Sequence, residues 1–157
     1  MIQRIQSIFL LLASVSAVLL FFYPVAEYFD GINYAIIFHI HQLQDHVPGN
    51  EQLFPNSFLL PLIILNALTG LLALLSLFMY KQMIAQLRLT RIALFLNALL
   101  IGALFFFYTG QISKLVMIEP QYKFGIYLPV ITLLFLVLAM RSIQKDIKLV
   151  RSADRLR

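Results

Sequence analysis

The 157 residues are 61% hydrophobic and 12% charged, with a net charge of +5 and no cysteine; mean hydropathy is +0.88. So apolar a chain cannot present a wetted surface around a soluble core, which excludes a soluble fold and points to an integral membrane protein of mainly α class. Without cysteine, neither a disulfide framework nor a thiolate site is available.

Four apolar runs, residues 5–23, 58–80, 92–109 and 124–140, the last extended as helix to 143, predict four spans in one membrane domain, 1–157. Each run is ~25 to 35 Å long as helix, enough to cross a bilayer. In the first, Arg4 precedes an apolar core, and Pro24-Val25-Ala26 weakly resembles a processing site. The run is longer than a usual signal core and lacks a clean small-x-small end, so a retained anchor is expected.

The loop 24–57 carries the next signal. Asp30-Gly31 suits a tight turn, and Ile32, Tyr34, Ile36, Phe38 and Ile40 alternate with residues of the opposite face. A β-hairpin of Val25–Phe29 with 32–41 follows, against a helical rival in which Ile36, Ile40, Leu43 and Val47 share a face. Two strands alone are marginal, so β-prone Lys114 to Ile118 is a candidate third strand. His39, His41 and His46 fall within eight residues of that loop. A His-x-His pair on one strand face offers two metal ligands, with His46, Asp45 or Glu51 to close the site; a solvated strand face is the favoured reading and no cofactor is expected.

Span two places Pro61 near its start, where a missing N–H costs least. Asn66 there and Asn97 in span three are the strongest intramembrane polar groups, with Ser14, Ser16, Thr69, Ser76 and Thr132 weaker. Asn66 and Asn97 lie at different depths, so each is expected to bond to a neighbouring helix and not to the other. Small residues four apart, Ala13/Ala17, Asn66/Gly70 and Ala98/Gly102, allow close helix approach within one chain or in a homo-oligomer. Pro129 to Met140 is only ~18 Å, so span four begins before Pro129 or draws Arg141 inward.

Beyond it, residues 144–157 form a tail which, as a helix, puts Ile143, Ile147 and Val150 on one face and Arg141, Lys145, Lys148, Arg151 and Arg155 opposite. Asp146 and Asp154 project towards the apolar side. Carboxylates there favour docking on protein, with Arg88, Arg91 or Arg4 as partners, while the basic face meets anionic lipid headgroups.

Ten of twelve Lys and Arg residues fall on one side of this arrangement and only Lys114 and Lys123 on the other, with five acids. Both termini are therefore expected in the cytoplasm and the hairpin outside it. Tyr23, Tyr80, Tyr108 and Tyr127 mark span boundaries at headgroup level. No hydrolase, zinc-protease, nucleotide or nucleic-acid motif is present.

Met1-Ile2-Gln3-Arg4-Ile5-Gln6 opening directly into a span, Tyr80-Lys81 with Gln86-Leu87-Arg88, Tyr127-Leu128-Pro129, and the closing string from Lys148 to Arg157 carry a resemblance. Over its whole length the chain resembles a family of small four-span membrane proteins from Bacteroidetes, domain of unknown function forty-two ninety-three. The resemblance implies a bacterial cytoplasmic-membrane protein with cytoplasmic ends; it implies no activity, and the histidines do not look like part of its pattern. The expectation is a non-enzymatic structural or accessory component of the inner membrane, contacting lipid and an unidentified membrane protein. The rival is an oligomeric small-solute channel or carrier.

Overall fold

The computed structural model describes residues 5–29, 35–45 and 56–154. They are mainly helical: α1 (Ile5–Leu19), α2 (Leu60–Phe78), α3 (Met83–Gly102), α4 (Thr109–Val116) and α5 (Tyr127–Asp154). A π-helical segment, Ala103–Tyr108, joins α3 to α4 with helical backbone at both junctions, so the two form one rod and the described residues make four helical rods. Ser57–Phe78, Met83–Lys114 and Phe124–Val150 are each long and apolar enough to cross a membrane. At 15 residues, α1 is shorter.

The boundaries differ from the sequence reading for local reasons. α1 ends at Leu19, not Tyr23, because the amides of Phe21 and Phe22 turn to carbonyls three residues back. That tightening precedes Pro24, whose ring disfavours helical backbone at Tyr23. The third rod runs from Met83 to Val116, well beyond 92–109. Its first turns, Met83 to Leu89, are strong helix formers whose polar members disguise them in a hydropathy reading. Arg88 and Arg91 thus stand on α3 and not in a loop. α5 begins at Tyr127, before Pro129, whose missing N–H falls in the first turn where no helical partner is lost.

Four antiparallel strands, β1 (Ala26–Phe29), β2 (Ala35–Phe38), β3 (Leu43–Asp45) and β4 (Gln121–Tyr122), form a sheet in the order β3-β2-β1-β4. β1 and β2 pair with Tyr28 opposite Ile36 and Ala26 opposite Phe38. All four are buried, as the alternation requires, and pack on Leu20, Leu62, Leu104 and Ile112 of the helices. The helical rival for 36–43 is excluded. The turn at Asp30-Gly31, Ile32 and Tyr34 lie outside the described residues. Residues 114–118 are not the third strand: Lys114 to Val116 finish α4, held by core residue Ile112, and Met117 closes the helix in the left-handed conformation. The extra strands are β3 and β4 instead.

The rods pack in a ring, α1–α2–α3–α5, each on two neighbours. Away from the sheet the core is built from Leu10, Ala13, Ala73, Ala93, Leu136 and Ala139. Small residues let backbones approach: a Cβ added at Gly70 would stand 3.3 Å from that of Ala17. Ala98 and Gly102 serve no such contact, Ala98 being exposed and Gly102 having nothing within 4 Å of an added Cβ. Large apolar side chains, including Ile64, Leu71, Phe95 and Leu134, cover the outside of the ring. The π segment adds Phe105, Phe106 and Phe107 to that surface while Leu104 and Tyr108 turn inward.

Candidate functional site

Every seam of the helix ring holds a buried polar link. Asn66 Nδ2 donates to Ala17 O at 2.8 Å between α2 and α1. Ser76 donates to Gln86 O and shares a 2.8 Å hydrogen bond with Thr90, joining α2 to α3. Asn97 Nδ2 donates to Pro129 O at 2.8 Å between α3 and α5, and Ser16 meets Thr132 at 2.7 Å between α1 and α5. Ser14 and Thr69 instead bond back to their own helices, at Leu11 O and Leu65 O. Asn66 and Asn97 are thus not brought together.

A fifth link crosses the ring. Gln6 Nε2 donates to Gln86 Oε1 at a long 3.5 Å, leaving Gln6 Oε1 and Gln86 Nε2 buried without a partner among the described residues. Gln86, Thr90, Ala93, Asn97 and Leu100 form the inward stripe of α3. Gln86 and Thr90 escape a reading that begins the span at residue 92; the helical spacing of that stripe is the signal that would have found them.

At this end of the bundle the tail is part of the ring. Ile143 is fully buried, and a cleft of about 430 Å³ between α1, α3 and α5 is lined by Gln6, Met83, Ser142, Lys145 and Asp146 among others. Asp146 therefore faces protein, half-buried, but neither Arg88 nor Arg91 forms an ion pair with it; among the described residues the ion pair found is Lys123–Glu27, at 2.8 Å. Arg4 and Arg155 lie outside the described residues, and Arg151 and Asp154 fall on the last turn of α5. Across the α3–α5 groove a larger trough, about 600 Å³, is lined by Lys81, Ile84, Arg88, Ile147 and Val150 among others.

At the sheet end, the His39 amide donates to Gln42 O, so the chain reverses at Ile40-His41 and β2 stops at Phe38. His39 and His41 are therefore not a pair on one strand face, although their rings lie 5.6 Å apart. Burial, then the neighbouring His41, lowers the pKa of His39, whose Nδ1 is buried without a partner among the described residues. No group of three metal-ligating side chains is gathered among the described residues, and His46 lies outside them. Tyr28 is fully buried and donates to Thr109 O at 3.3 Å, fastening the sheet to α4; burial and then Tyr122 raise its pKa. Tyr108 turns its ring inward: it is 4% exposed and donates to Phe58 O at 2.9 Å, whereas Tyr23, Tyr80 and Tyr127 are exposed.

Comparison with curated proteins and with solved structures finds no match. The family model described as Domain of unknown function (DUF4293) matches residues 2–156. With that match covering almost the entire chain, together with the end motifs that suggested it, the protein belongs to the DUF4293 family.

Proposed function

We propose that the chain is a four-span protein of the bacterial inner membrane, with both termini cytoplasmic and the sheet outside, acting as a non-enzymatic structural or accessory component. The seam bonds carry this reading: Asn66 and Asn97, the strongest polar groups of the rival path, and the hydroxyls of Ser16, Ser76, Thr90 and Thr132 are engaged in holding helix to helix, while the outer faces are apolar. Three rods have the length to cross. α1, ~22 Å as helix, crosses with the turns that carry it to Tyr23 and local thinning of the bilayer. The contact surfaces are the basic face of α5, with Arg141, Lys145 and Lys148, and the sheet; anionic headgroups, a membrane protein or a second copy are their partners.

The rival, an oligomeric channel or carrier, has its polar path through Asn66 and Asn97. Purified protein in liposomes separates the two. Solute flux equal to that of empty vesicles is expected; flux that Asn66→Leu or Asn97→Leu abolishes would overturn the structural reading.

A further inference from the structure

The trough between α3 and α5 combines two features that the seams do not use. Its walls are apolar, with Ile84, Ala85, Ile147 and Val150, and its cations are Lys81 and Arg88. Ile84 and Arg88 stand four apart on one face of the α3 start, and Lys81, in the turn just before the helix, lines the same trough. Both cations are exposed and have no acid partner among the described residues. Among the described residues no carboxylate lines the trough: Asp146 opens into the neighbouring cleft, on the other side of Met83 and Val150, which border both.

We propose that this trough holds one anionic phospholipid, its phosphate between Lys81 and Arg88 and its first acyl carbons on Ile84, Ile147 and Val150. Charge selects the headgroup, and the apolar walls require more than an ion. At about 600 Å³, the trough is some twenty times a water's share of liquid volume; a free phosphate would leave Ile84 and Val150, 57% and 48% exposed, in water. The height also fits, because Tyr127 to Ile147 is ~30 Å of helix, a bilayer's hydrocarbon thickness, which sets the trough at the inner headgroup level.

The proposal rests on the membrane reading above. The test is native mass spectrometry of the detergent-purified full chain with added phosphatidylglycerol, with phosphatidylcholine of the same acyl chains, or with glycerol 3-phosphate. One retained phosphatidylglycerol per chain is expected, with phosphatidylcholine at least ~ten-fold weaker. Lys81→Gln with Arg88→Gln should weaken phosphatidylglycerol roughly twenty-five-fold, about five-fold per cation, Val150→Glu should also weaken it, and Lys114→Gln at the far end should not. Equal retention of both lipids, an unaffected double variant, or glycerol phosphate binding as tightly as the lipid would overturn the proposal. So would a two-chain mass that Val150→Glu dissociates, which would put a second copy in the trough. Alkaline extraction of membranes separates the two claims: a chain that stays in the membrane yet shows no lipid preference contradicts the trough alone, and a chain released contradicts both.

Discussion

Gly125 is where a single atom decides the geometry of the sheet end. Its amide donates to Pro24 O at 2.9 Å, and an added Cβ would collide with the carbonyls of Pro24 and Tyr23. Gly125→Ala should therefore cost ~1 to 3 kcal/mol, read as a lower thermal midpoint in detergent; an unchanged midpoint would mean that the two loops are not clasped. Sequence gives no local cue to this, because the crowding comes from a segment a hundred residues away. His39 supplies a pH dependence. Its folded pKa lies below the ordinary value of 6.5, so the unfolded chain binds the proton more readily. The stability of the neutral ring is fully present above 6.5 and is lost as pH falls through the lower folded value. Between about pH 7.5 and about pH 5, the midpoint should drop less steeply in His39→Gln than in wild type; equal slopes would contradict a half-buried imidazole held neutral.

At the scale of elements, small residues four apart look alike in sequence but face differently in the ring. Gly70→Leu should force α1 from α2 and cost ~1 to 3 kcal/mol, whereas Gly102→Leu, on an open face, should stay within ~0.5 kcal/mol. Thermal unfolding of both variants checks the pair, and equal costs would contradict the packing. Asn97→Leu removes the donor to Pro129 O and should cost ~0.5 to 2 kcal/mol, seen as a lower midpoint with the rods still helical by circular dichroism. That asparagines bond to neighbouring helices is legible from their apolar surroundings; which carbonyl each meets depends on the rotation of each rod. Strand alternation through Ile36 and Phe38 is legible for the same reason, since one face must be buried. The early start of α3 is not, because its inward face carries Gln86 and Thr90, which a hydropathy pattern assigns to water.

For the whole molecule, the apolar runs are the most legible feature, because they answer to the solvent and not to neighbours; the cation asymmetry carries the expected orientation. The contact of the tail is legible only in part: Asp146 on the apolar side points to a protein contact, but among the described residues Gln6 and Met83, and not Arg88 or Arg91, line the cleft it enters. With no cysteine in the chain, a single introduced thiol reports its side of the membrane without interference. Glu119 and Ser152 are both exposed, near β4 and near the end of α5. In intact spheroplasts, a membrane-impermeant maleimide should label Glu119→Cys and leave Ser152→Cys unlabelled until the membrane is permeabilised; labelling of both before permeabilisation, or the reverse pattern, would contradict four spans with cytoplasmic ends.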